Sequence, residues 1–356
     1  MSILEDTQAY EDWLATQCKV VEKHLEKKHE RMRESPFVFL RATYYRWAKR
    51  IERICPDLVG APSALCVGDI HLENFGTWRD ADGRWVWGVN DFDEAAVMPY
   101  AFDLVRLATS VELAPKMRIA GRDAADAILA GYRRGIENPG PALLDEQKIW
   151  IRDYVRCSDD CRHEFWKDID GLKTEDPPPA IRKLLIASLP GKPEKTEFFR
   201  RRAGGGSLGR PRYVVVATWR GGRVVREAKA LVASAWDWSR GAKPRKHKFL
   251  DLSAGTHRAP DPYLQVVRDD DGTNFVVRRL SADSRKLNLE DEAGDFDEKQ
   301  LRAMGADLAA IHAATVDSAV ITADLKKRRG GWLHDNARAA REATEKDYDL
   351  WHRKGS

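Results

Sequence analysis

Asp69, Asn74 and Asp91 are the residues whose types and spacing in this chain could carry a reaction together. The stretch Gly68-Asp-Ile-His-Leu-Glu-Asn74-Phe-Gly76 sets an aspartate shortly before an asparagine, and Asn90-Asp-Phe-Asp-Glu94 supplies a second aspartate. A carboxylate on a tight loop can take the proton of a hydroxyl as a general base. A second carboxylate and an amide carbonyl are oxygen donors of the kind that Mg²⁺ prefers, with water and phosphate completing its octahedron. One base and two magnesium ligands suit the transfer of a phosphoryl group from ATP to a hydroxyl. Asp69 is therefore the candidate base, and Asn74 and Asp91 are the candidate metal ligands. His71 is read as a buried structural histidine in preference to a phosphate contact. Asp93 and Glu94 either extend the metal site or are solvated turn carboxylates.

These side chains need strands and turns to hold them. Ala64-Leu-Cys-Val67 reads as a strand leading into the first loop. Trp78-Arg79, the polar Asp80-Ala-Asp-Gly83 turn and Arg84-Trp-Val-Trp-Gly-Val89 read as a hairpin delivering the second. Phe102-Asp-Leu-Val-Arg-Leu-Ala-Thr-Ser110 opens an apolar helix. Asp103 at its start either accepts hydrogen bonds from backbone amides of the catalytic loop or favours the helix terminus by capping. Residues 5–33 are helical by period, and 37–47 form a second helix after Ser35-Pro36. Residues 111–190 are mostly helical, with breaks at 138–141 and 176–179. Leu301 to Thr315 has clear 3.6 periodicity, and a charged helical tail uses Trp332 and Trp351 as docking points.

A second constellation lies in the middle of the chain. Gly204, Gly205, Gly206, Ser207 and Gly209 form a glycine-rich loop ahead of two strands, Arg212–Trp219 and Arg223–Leu231, joined by a tight turn. Glycines let backbone amides approach phosphate closely, and Lys229 on the second strand can neutralise it. Two more strands follow, 263–267 and 274–280, and the segment near Leu280 to Ala282 is the candidate hinge for adenine. Lys229 has no evident glutamate partner: Glu227 is two residues away on the same strand, and the next helix offers only Asp237.

The blocks Ser35-Pro-Phe-Val-Phe-Leu-Arg41, Gly68 to Gly76, Asn90 to Glu94, Phe102 to Ser110, Gly-Gly-Ser-Leu-Gly209 and Lys229 to Ser234 resemble an uncharacterised bacterial domain-of-unknown-function family of the protein-kinase-like clan. A more distant similarity, carried by Gly-Asp-x-His-x-x-Asn, Asp-Phe-Asp and Leu-Ala-x-x-His, is to aminoglycoside and other small-molecule phosphotransferases. The resemblance implies an α+β, protein-kinase-like two-lobed fold with ATP and magnesium. Asp69 would be the base, Asn74 and Asp91 would hold metal, and Lys229 would meet the phosphates. In ordinary kinases the glycine loop precedes the catalytic aspartate. The opposite order here implies a circular permutation: a helical large lobe over 1–195, a β-rich small lobe over 196–285, and a helical return over 286–356.

Composition constrains the remaining possibilities. The chain has 356 residues, 43% hydrophobic and 33% charged, with a formal net charge of +4, which describes a globular protein with a proper core. Charge is unevenly spread: Arg200 to Lys248 is almost all basic, while 269–271 and 290–298 are acidic. The amino terminus shows no signal-peptide pattern and no segment is long enough to cross a bilayer, so a cytoplasmic protein is expected. Five cysteines without zinc-site spacing, Cys157 and Cys161 included, are expected to be free buried thiols. The leading functional expectation is an ATP- and Mg²⁺-dependent phosphotransferase acting on a small-molecule or protein hydroxyl. The alternatives are an AMP transferase, a non-catalytic nucleotide-binding module and, with least support, a nucleic-acid binder using the basic run Arg240 to Lys248.

Overall fold

The computed structural model of the chain describes residues 1–146, 148–242, 247–286 and 297–354. Residues 243–246 of the basic run and most of the acidic stretch 290–298 lie outside them. The architecture is mixed α+β. Its first part is helical: Ile3–Gln17, Glu22–Arg31, Pro36–Ala42 and Tyr44–Ile54. The single helix expected over 5–33 is two helices, because Cys18 adopts extended backbone and the Val21 amide donates to the Gly209 carbonyl at 2.8 Å. A long-range backbone bond has displaced a local one. Ser35 caps the next helix, accepting from the Val38 amide at 3.2 Å with Pro36 at the first helical position.

Two small sheets carry the first set of candidate residues. Strand β1 (Ser63–Cys66) pairs antiparallel with β4 (Ala96–Pro99). Between them in sequence, β2 (Phe75–Arg79) and β3 (Trp85–Val89) form the expected hairpin, and β5 (Ala142–Leu143) joins β3. Asp80 closes the turn by accepting from the Asp82 and Arg84 amides at 3.0 and 2.9 Å. The Glu298–Ala313 helix crosses the Gly121–Glu137 helix closely. A Cβ at Gly305 would fall 2.1 Å from the Ile128 carbonyl oxygen, so that contact requires glycine. The Trp332–Lys354 helix packs on Ala101–Leu113, with Trp332 and Trp351 buried as expected.

The rest of the strands form one antiparallel sheet. Its strands are β6 (Lys173–Thr174), β7 (Lys195–Arg200), β8 (Arg212–Trp219), β9 (Gly222–Leu231), β10 (Gln265–Arg268) and β11 (Asn274–Leu280). They lie in the order β10-β11-β9-β8-β7-β6. Strand alternation sorts the residues by face. Tyr213, Val215, Ala217, Ala228 and Ala230 point into an apolar cluster with Ile181 and Leu185 of the Pro179–Ala187 helix. Lys229 pairs in register with Arg212, and Glu227 with Val214, so these four side chains share the opposite face. Period two thus fixes which charges leave the apolar core.

The cysteine expectation needs correcting in part. Cys18, Cys55 and Cys66 are free and buried, but Cys157 and Cys161 form a disulfide. Cys157 precedes the Ser158 cap and Cys161 lies in the first turn of the Asp159–Asp170 helix, which brings their Cα atoms to 5.6 Å, within bridging range.

Candidate active site

The first loop is held from below. After β1 the chain turns at Gly68, whose φ of +79° favours glycine, and the Val67 and Gly68 amides donate to the Asp103 carboxylate at 2.7 and 3.0 Å. Asp103 therefore anchors the loop, the first of the two roles expected for it. His312 Nε2 lies 3.2 Å from the same carboxylate, and its Nδ1 lies 2.8 Å from the Tyr132 hydroxyl. Cys66, Asp103 and His312 could be taken for a metal cluster, their ligand atoms lying within 4.8 Å of one another. The hydrogen bonds already made by Asp103 and His312 account for that cluster without an ion.

Asp69 follows directly and is paired with Arg106, whose guanidinium is fully buried over the rings of Tyr44 and Trp47 at 4.9 and 5.0 Å. Burial pushes the Asp69 carboxyl above the ordinary range, while Arg106 pulls against it. Asn74 is 4% exposed. Its Nδ2 donates to the Asp69 and Asp91 carbonyls at 3.1 and 3.2 Å, whereas its Oδ1 is buried without a hydrogen-bond partner. The amide is oriented by its nitrogen, and its oxygen is left bare. A buried acceptor without a donor is costly, and a cation is one way to satisfy it. Asn74 and Asp91 thus present the oxygen donors that suit Mg²⁺.

The second loop hangs from the Glu298–Ala313 helix. Asp307 accepts the Val89 amide at 2.8 Å and pairs with Arg258 at 3.1 Å. Arg258 in turn donates to the Val89 carbonyl at 2.7 Å, and the Asn90 amide donates to the Asn74 carbonyl at 3.2 Å. One helix therefore fixes both loops, Asp307 holding the approach to Asp91 and His312 the approach to Asp69. The Lys229 ammonium is 3.4 Å from Asp91 and 2.7 Å from Asp93. Burial opposes ionisation of Asp91, yet Lys229 and Lys286 hold its carboxyl far below the usual range. Burial and the Asp91 charge push Asp93 the other way. Glu94, buried and paired with Arg210 at 2.9 Å, is raised to about 7 by burial. Asp93 and Glu94 are thus partly or fully buried ion-pair members, not solvated turn carboxylates.

Glu227 is not the missing partner of Lys229. It is fully buried against Arg201, Arg212 and Arg278, which hold its carboxyl well below the ordinary range although burial opposes this. The lysine is positioned instead by Asp91 and Asp93.

The glycine loop closes over this floor. A Cβ at Gly206 would lie 2.9 Å from the Arg41 carbonyl oxygen and 3.2 Å from the Asp69 carboxylate. Arg31 donates to the Gly204 carbonyl at 3.1 Å, and Arg212 donates to the Ser207 hydroxyl at 2.9 Å. Gly209, at φ +97°, is pressed against Leu25 and does not line the cavity. It is an anchor of the loop.

Asp69, Asn74, Asp91, Gly204, Gly205, Gly206 and Ser207 all line one cavity of about 650 Å³, and Lys229 reaches Asp91. His71 also lines it; it is 8% exposed, and burial holds its imidazole well below the ordinary range, hence neutral. A second cavity of about 220 Å³ shares Arg201, Arg278 and Lys286 with the first. It adds Trp78, Phe92, Leu264, Leu280 and Ser281, so the expected hinge borders a second space that meets the first at those three cations. Sequence reading missed Lys28, Arg41, Arg210, Asp307 and Lys286. For Asp307 a signal existed, an acid inside an otherwise alanine-rich helix. Arg210 follows the last glycine of the loop. The others are basic residues among many.

A model of the family described as an uncharacterized protein conserved in bacteria (DUF2252) matches residues 20–151 and 194–354. The chain belongs to that family. No curated protein and no solved structure matches it. The matched stretches include both loops of this DUF2252 chain, its glycine loop and Lys229; they leave out 1–19, with the Ile3–Gln17 helix, and 152–193, which hold the disulfide and two outer helices of the sheet. Among the described residues no helix is long and apolar enough to cross a membrane.

Proposed function

We propose that this protein is an ATP- and magnesium-dependent phosphotransferase with a permuted, protein-kinase-like arrangement of two lobes. The observation that carries this reading is Asn74. Its nitrogen is tied to the backbone of both aspartate loops, and its oxygen is buried and bare on the cavity that Asp91 also lines. Asn74 and Asp91 would hold the ion, which when bound would neutralise charge on the nucleotide phosphates. Lys229 sits against Asp91, where it would meet those phosphates, and the amides of Gly204 to Ser207 would cover them. The base would lie in the apolar space beside Leu280 and Ser281, among Trp78, Phe92 and Leu264. Asp69, raised by burial yet held by Arg106, would accept the acceptor's proton on the far side.

ATP carrying label in either its α- or its γ-phosphate, incubated with the protein, Mg²⁺ and a bacterial metabolite extract, tests this. Transfer of γ-label, lowered about 10²–10⁴-fold by Asp69→Ala, is expected. Transfer of α-label would replace the reading by AMP transfer. Nucleotide binding without transfer of either label would leave a non-catalytic nucleotide module.

A further inference from the structure

One charged group on the cavity wall has no part in the chemistry above. Lys28, on the Glu22–Arg31 helix, is 1% exposed and lines the 650 Å³ cavity. Among the described residues its ammonium makes no hydrogen bond or ion pair. It rests over two ring faces, 5.6 Å from the centre of Tyr10 and 5.1 Å from that of Tyr45, which stack on each other at 4.5 Å. The carboxylate acting on it most strongly, Glu11, lies 2.7 Å from His29 Nε2 and makes no bond to the ammonium, so burial is only partly offset by that charge and the ring faces. Such a group persists where something anionic arrives to meet it.

The direction of the cavity says what that would be. Lys286 lines both cavities, the 650 Å³ one and the smaller one at Leu280 where the nucleotide base is placed. Lys28 lines only the first of these, which also holds Asp69, the candidate base. It therefore stands at the Asp69 end, away from the apolar space at Leu280. Arg41 adds a second incomplete cation that lines this cavity and not the smaller one: it pairs with Glu73, yet its Nε is buried without a hydrogen-bond partner. We infer that Lys28 and Arg41 form an acceptor subsite for a small molecule bearing an anionic group, a phosphate or a carboxylate, next to the hydroxyl presented to Asp69. A polycationic amine acceptor would meet this wall with like charge. Burial lowers the Lys28 pKa to about 8, so the ammonium is still mostly protonated at neutral pH. This inference rests on the phosphotransferase reading for the word acceptor, though not for the anion site itself.

Calorimetric titration of inorganic phosphate and of succinate into the protein, with and without saturating Mg²⁺ and a non-hydrolysable ATP analogue, tests it. The wild type is expected to bind at least one of these anions at millimolar concentration while the analogue is bound. Lys28→Met should bind that anion at least tenfold more weakly with nucleotide affinity unchanged. Its unfolding temperature should equal or exceed that of the wild type, since the neutral chain of similar shape removes a buried charge; Lys28→Gln serves if the methionine variant does not fold. Phosphate binding alone would point to a phosphorylated acceptor, and succinate binding to a carboxylated one. Equal anion affinity in wild type and variant, or no binding of either anion to the wild type, would overturn the subsite. If the analogue binds neither protein, the nucleotide reading fails separately, and the nucleotide-free titrations still decide on Lys28.

Discussion

The floor and the roof of the cavity are built differently. The floor loops are held by buried carboxylates of two helices, each tied at both oxygens: Asp103 takes two amides and His312, and Asp307 takes the Val89 amide and Arg258. The glycine loop is tied at its edges, by Val21 to Gly209 and Arg31 to Gly204, and by Arg212 to the Ser207 side chain. Between those points Gly205 and Gly206 rest on Arg41 and Asp69 without a side chain of their own. On the proposed function, a rigid floor would fix the reacting groups, whereas a roof with few tethers would open for a ligand and settle again.

The largest effect that would break this contrast comes from the floor. Asp307→Ala leaves Arg258 buried without its carboxylate and the Val89 amide unpaired. A loss of about 3–5 kcal/mol is expected from uncompensated burial, read by urea denaturation; a loss below about 1 kcal/mol would mean the floor is not held this way. Asp103→Asn should cost less, about 1–3 kcal/mol, because an amide side chain satisfies part of the same set. The roof should respond in the opposite manner. Gly206→Ala places a methyl against the Arg41 carbonyl and Asp69, so ATP-analogue affinity should drop about tenfold, or about 1.4 kcal/mol, with a loss of stability smaller than that of Asp307→Ala. A variant that unfolds early but binds normally would reverse the assignment.

The smallest effect concerns pH. Glu94 has a folded pKa raised to about 7 from an ordinary value of 4.5. Between those values the folded state holds more protons than the unfolded one, so this group makes stability fall as pH rises from about 4.5 to 7. Glu94→Gln should flatten that part of the stability–pH curve, measured by denaturation at several pH values, while leaving the region above pH 8 parallel to the wild type.

How far the sequence reached follows the same division. The hairpin before Asp91, the two strands after the glycine loop and the helix carrying His312 were legible because each has a local period or a turn signal. The α+β class followed from them. What was not legible depended on partners far away in sequence. The break at Cys18 to Val21 needs the Gly209 carbonyl, and β7 (Lys195–Arg200) carries too little alternation to be seen without its partner β8. The disulfide at Cys157 needed the cap at Ser158. In the site, Asp69, Asn74 and Asp91 announced themselves by type and spacing. Lys28 did not, because its meaning lies in what it fails to touch, which no sequence pattern records. Lys229 lacked a visible partner for a related reason: Asp93 comes from the other half of the molecule.

On the proposed function, Asp91 and Asn74 gather a magnesium-bound nucleotide beneath the glycine loop. Calorimetric binding of a non-hydrolysable ATP analogue, in Mg²⁺ and in EDTA, to the wild type and to Asn74→Ala and Asp91→Ala tests it most directly. The expected result is micromolar binding that requires Mg²⁺ and weakens at least tenfold in each variant. Binding that is the same in EDTA and indifferent to both substitutions, or no binding at all, would contradict it.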